Sequence, residues 1–130
     1  MLSKEQHIQY WQQSAIDDWE TTQVLFNGKR FAFCLFSMHL YIEKLLKALW
    51  VKESITNTPP FTHDLVKLAA EADVILLPEQ VDFLYIINSW NIKILYPVYS
   101  KNLHQHATNE YVQLQLEKIT QLALCLDQKI

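Results

Sequence analysis

Apolar residues recur every three or four positions along most of this chain, the period of an α-helix rather than a strand. Ile8, Trp11, Ala15, Trp19, Thr22 and Phe26 share one face and predict a first helix. Ser3 and Gln6 fit a capping box at its start, and Asn27-Gly28 offers a left-handed cap at its end. A second helix is expected from about Arg30 to Glu53. Phe31, Phe33, Leu35, Phe36, Leu40, Ile42, Leu45, Leu46, Leu49 and Trp50 lie nearly all round it, so it should be central, with several neighbours or a second subunit against it. Asn57, Pro59 and Pro60 mark Ser54 to Phe61 as a loop. A third helix is expected near Thr62, as N-cap, with Leu65, Leu68 and Ala69 inside. Pro78 suits the first turn of a fourth, which carries Val81, Leu84, Tyr85 and Ile87.

Asn88 to Asn102 reads as irregular, because Pro97 forbids a normal helix through that point. Ile92, Ile94 and Tyr96 favour a strand there, but one short strand has no partner. A last helix starts near Thr108 with Tyr111, Leu114, Ile119, Leu122 and Leu126. The expectation is an all-α fold, an antiparallel up-and-down bundle of four or five helices.

Length and charge sharpen this picture. At 130 residues the chain suits one domain, residues 1–130. Half of it is hydrophobic and only 19% is charged, below the usual quarter, so leftover apolar surface favours self-association. A net charge of −3 supplies no broad basic field for nucleic acid, although Lys44, Lys47 and Lys52 make a local patch. A single glycine, Gly28, argues against a phosphate-binding glycine loop. Cys34 and Cys125 lack metal-ligand spacing and read as reduced, buried thiols. Lys4, Glu5, Gln6 and His7 interrupt the N-terminus before an apolar run forms, so no signal peptide is expected. No uncharged stretch is long enough to span a membrane, and the cytoplasm is the expected compartment.

The informative anomaly is charge within the apolar second helix, at Glu43, Lys44 and Lys47. Glu43 and Lys47 stand four apart on one face. As a plain helix salt bridge they contribute roughly 0.2–0.5 kcal/mol. As a site, Lys47 would hold a phosphate while Glu43 orients it or pairs with His63. Lys44 lies about 100° away round the helix and suits a snorkelling surface lysine. His63 and Asp64 suit helix capping, and the free N–H groups beside them suit an anion. Asp17 and Asp18 point apart and cannot share an ion, so Asp18 belongs on a solvated face or bonded to the second helix. The four tryptophans, Trp11, Trp19, Trp50 and Trp90, suit core or interface before base stacking.

Several segments in order resemble the HEPN domain family, named for higher eukaryotes and prokaryotes nucleotide-binding. They are Ser14-Ala15-Ile16-Asp17-Asp18-Trp19, Asn27-Gly28-Lys29-Arg30-Phe31-Ala32, Glu43-Lys44-Leu45-Leu46-Lys47-Ala48-Leu49, Thr62-His63-Asp64-Leu65 and Tyr96-Pro97. The resemblance implies a helical bundle similar to the C-terminal domain of kanamycin nucleotidyltransferase, commonly a homodimer. It implies a minimal nucleotidyltransferase as partner, in some cases as toxin and antitoxin, and a nucleotide or RNA as ligand. Many members are RNases with an arginine and a histidine in a short motif. Here Leu95 stands where the family's arginine precedes Tyr-Pro, and Arg30, the one arginine, has no histidine at that spacing. The nearest echo is Lys101, Asn102 and His106, where lysine keeps the charge but loses the phosphate-gripping fork.

The expected function is therefore binding of a nucleotide or RNA phosphate, of a cognate nucleotidyltransferase, or of both. Its ligand residues would be Glu43, Lys47 and His63, with Lys44 and Asp64 behind them. The alternatives are a metal-independent endoribonuclease toxin using Lys101, Asn102 and His106, and a purely structural partner subunit. No cofactor or metal is expected.

Overall fold

The computed structural model describes residues 1–91 and 103–130. Five helices follow one another among the described residues: α1 Lys4–Asn27, α2 Phe31–Glu53, α3 Leu65–Glu71, α4 Pro78–Asn88 and α5 Asn109–Asp127. A single helical turn, 103–106, precedes α5. The described residues contain no strand.

Local chemistry accounts for most of the boundaries. Ser3 caps α1 in a reciprocal box, its hydroxyl accepting from the Gln6 N–H while Gln6 Oε1 accepts from the Ser3 N–H. Pro78 opens α4, and Thr108 caps α5 by accepting from the Tyr111 N–H. Two boundaries differ from expectation. The left-handed residue after α1 is Lys29, φ 59°, and not Gly28, φ −83°. Arg30 N–H reaches Leu25 O at 2.8 Å and Lys29 N–H reaches Phe26 O at 3.0 Å, a Schellman closure that needs the left-handed turn one residue later. The cap of α3 is Asp64, not Thr62. Its carboxylate accepts from the Val66 and Lys67 N–H groups, while Thr62 Oγ1 accepts from the Asp64 N–H and turns the loop into the cap.

Helix α2 is central, as its all-round apolar pattern predicts, and packs against α1, α3, α4 and α5. Its Leu35, Met38, Ile42 and Leu46 are fully buried beside Leu65, Leu68, Leu84, Ile87, Ile119 and Leu126. Each such side chain contributes roughly 1.5–3 kcal/mol by leaving water. Phe33 is the exception, 49% exposed at the start of the helix. The predicted face of α1 turns inward: Ala15 and Thr22 are buried, and Trp19 lies 5.0 Å from the Tyr41 ring.

The helix directions follow from contacts at the ends. Lys4 Nζ donates to the carbonyls of Val51 and Ser54, so α1 starts where α2 finishes and the two are antiparallel. Lys52 Nζ reaches the Lys129 carbonyl, which puts the ends of α2 and α5 together. The connection between α2 and α3 returns along α2, and it brings His63 against the middle of that helix. No helix among the described residues is long and apolar enough to cross a membrane.

Candidate functional site

His39, Glu43 and Lys47 are spaced four apart on α2 and therefore stack on one face. All three are buried, at 0%, 2% and 7% exposure, inside a helix otherwise given to apolar packing. Buried charge on this scale requires partners, and the row supplies them. Glu43 Oε2 accepts from Lys47 Nζ at 3.2 Å. Glu43 Oε1 faces His63 Nδ1 at 2.7 Å and His39 Nε2 at 3.3 Å. Lys47 Nζ also lies 5.2 Å from the Trp11 ring centroid, a cation–π contact that shields the ammonium with an aromatic face of α1.

The carboxylate is the hub. Burial pushes the Glu43 carboxyl up, but hydrogen bonds from His39 and His63 and the charge of Lys47 outweigh it and hold it at about 2, below its ordinary 4.5. His39 is fixed on its other side, because Nδ1 lies 3.1 Å from the Ile87 carbonyl, which can only accept. That bond ties the end of α4 to the row. Asn91 Nδ2 sits 3.4 Å from His39 Nε2. His63 is the member that reaches outward, with 30% of its side chain exposed. It opens on a groove of about 460 Å³ lined by Phe61, Thr62, His63, Asp64 and Asn88. Phe61 is 95% exposed there, its ring edge-on to His63 at 6.0 Å.

The charged row on the central helix and the turn that meets it are formed by two of the segments that resemble the family, Glu43 to Leu49 and Thr62 to Leu65. The HEPN domain family model matches residues 8–124. The chain belongs to the HEPN domain family. No curated protein and no solved structure matches it.

In this HEPN chain Glu43, Lys47 and His63 converge, and Lys44 and Asp64 do not join them. Lys44 Nζ pairs with Asp18 Oδ2 at 2.8 Å, which ties α2 to α1 and answers the question of Asp18 as well. The Asp64 carboxylate occupies the Val66 and Lys67 N–H groups, so the anion seat expected at that turn is already taken. Its Oδ1 also accepts from Asn88 Nδ2 at 3.1 Å. His106 is exposed beside the cap of α5. Lys101 and Asn102, its proposed companions, lie outside the described residues, as do Leu95, Tyr96 and Pro97. Trp90 is core, 1% exposed, and Trp11, Trp19 and Trp50 are half-buried.

Sequence reasoning missed His39, Trp11, Phe61 and Asn88. The His39 signal was available, since it precedes Glu43 by one helical turn, the i,i+4 spacing that also serves paired metal ligands. One ligand atom each from His39, Glu43 and His63 lies within 4.8 Å of the others. Phe61 and Asn88 carry no signal in the one-dimensional pattern.

Proposed function

We propose that this HEPN protein binds a nucleotide or single-stranded RNA in the groove beside α3. The observation that carries the reading is His63 at the groove wall, oriented from behind by Glu43 at 2.7 Å and flanked by the exposed Phe61 ring. An exposed ring next to an oriented imidazole suits a base and its ribose or phosphate: the ring stacks, and the imidazole supplies a directed polar contact. Glu43 and Lys47 act here through His63. Lys47 is 7% exposed and bonded to Glu43, so it steadies the carboxylate instead of gripping the ligand itself. The net charge of −3 favours a stacked, local contact over a long backbone footprint.

The same reading includes a homodimer and a minimal nucleotidyltransferase partner, both implied by the family. Exposed Tyr10, Ile16, Val24, Phe33 and Tyr85 support an apolar protein contact of some kind. Calorimetric titration with an adenine nucleotide and with a short single-stranded RNA tests the groove. Phe61→Ala and His63→Ala should each weaken binding, the first by about 1–3 kcal/mol, the usual cost of losing a stacking ring. Phe61 makes no core contact, so its loss should leave folding intact. Equal heats for wild type and Phe61→Ala would remove the groove from consideration. RNA cleavage that His106→Ala abolishes would instead transfer the function to the metal-independent endoribonuclease reading.

A further inference from the structure

The contacts of His39 raise a question that the phosphate reading does not answer. Its Nδ1–H is committed to the Ile87 carbonyl, so Nε2 presents either a lone pair or a second proton. Nε2 points at a carboxylate oxygen 3.3 Å away, in a place with 0% exposure. The Asn91 amide, 3.4 Å from Nε2, can donate to a lone pair there, and the carboxylate on the other side favours a proton or a cation in the same place.

We propose that His39 Nε2, Glu43 Oε1 and His63 Nδ1 form a site for a zinc-class divalent cation. Bonds of about 2.0–2.1 Å from a tetrahedral ion hold two ligand atoms roughly 3.3–3.4 Å apart, which matches the His39–Glu43 separation without movement. His63 Nδ1 and Glu43 Oε1 are 2.7 Å apart, a proton-bridged distance. The ion takes the place of that proton, which leaves to solvent, and the pair opens by roughly 0.6 Å to ligand spacing. His63 is free to make this adjustment because it lies in the loop before α3 and is the exposed member of the set.

The surroundings have the features of an outer shell. A metal-bound histidine ordinarily donates its second ring N–H to a carbonyl or carboxylate, as His39 does to Ile87. The non-ligating oxygen of Glu43 is held by Lys47, which leaves Oε1 directed at the two imidazoles. The side next to His63 faces the groove, so a water completes the fourth position. Two imidazoles and one carboxylate select zinc, cobalt or nickel over magnesium or calcium.

This inference stands without the nucleotide reading, and its test contains no nucleotide. Untagged full-length protein, stripped with chelator, is titrated with Co²⁺ in a spectrophotometer and with Zn²⁺ in a calorimeter. One ion per chain is expected, with four-coordinate cobalt bands that Zn²⁺ abolishes and with protons released on binding. His63→Gln and Glu43→Gln should each lower affinity at least about tenfold. His7→Ala and His106→Ala, which remove histidines outside the cluster, should leave it unchanged. His63→Gln keeps the bulk of an already part-exposed side chain, and circular dichroism confirms that the variant is folded. Absence of saturable binding, binding that survives His63→Gln, or equal competition by Mg²⁺ would each overturn the site and leave protons as its only occupants.

Discussion

Glu43 and Lys47 show how burial changes the weight of an ion pair. An exposed pair at this spacing contributes a few tenths of a kcal/mol. This one is enclosed, at 3% and 8% side-chain exposure, so removing one partner strands the other in a medium that cannot solvate it. Glu43→Ala should therefore destabilise the protein by about 3–5 kcal/mol. The double variant Glu43→Leu with Lys47→Met should recover part of that loss, because it strands no lysine charge and fills the same space, while His39 and His63 still lose their carboxylate partner. Urea unfolding of wild type, single and double variants checks both statements. A single variant within about 0.5 kcal/mol of wild type would mean that Glu43 is not the partner on which Lys47 depends. The Lys44–Asp18 pair is the internal contrast. Both side chains are 19% exposed, and breaking it should cost no more than about 1 kcal/mol.

At the scale of elements, Asn88 locks α4 to α3. Its Oδ1 accepts from the Leu65 N–H at 2.9 Å, and its Nδ2 donates to Asp64. Asn88→Ala leaves the first backbone N–H of α3 without that partner and should cost about 1–3 kcal/mol. Hydrogen exchange should quicken at Leu65 to Lys67 and stay unchanged in α1 and α2, since the loss is local. Uniform acceleration across the chain would instead make Asn88 part of the global core. The elements themselves were legible because each rests on neighbours in sequence: the 3.6-residue period, Ser3 with Gln6, Pro78, and Thr108. Two ends, at Lys29 and at Asp64, where capping by Asp64 was foreseen but the helix start was set at Thr62, depend on which carbonyl or N–H is still free, and periodicity is silent on that. The pairing of Glu43 with His63 was one of the readings the residues left open, and the sequence alone could not decide it, because it joins residues 20 apart through a loop. His39 went unread because a histidine inside an apolar run resembles core filler until its carboxylate partner is counted one turn on.

Over the whole molecule, the buried row makes stability depend on acid. Glu43 is faced by His39 and Lys47 from α2 and by His63 from the loop, and these contacts hold its carboxyl at about 2. In the unfolded chain the same group takes a proton near its ordinary value of 4.5. Between those values the unfolded state binds a proton that the folded state refuses, so falling pH favours unfolding. The contribution is complete above about pH 4.5, shrinks through that window and is gone below about pH 2, for a total of roughly 3 kcal/mol. Other carboxylates add their own acid sensitivity, so the informative quantity is a difference. Metal-stripped wild type and the Glu43→Leu, Lys47→Met variant should be unfolded in urea from about pH 6 down to about pH 2.5. Wild-type stability should fall more steeply, and the two curves should approach each other as the pH drops. Parallel curves would mean that the Glu43 proton is bound alike in both states, and that the row on α2 does not govern the acid limit of this fold.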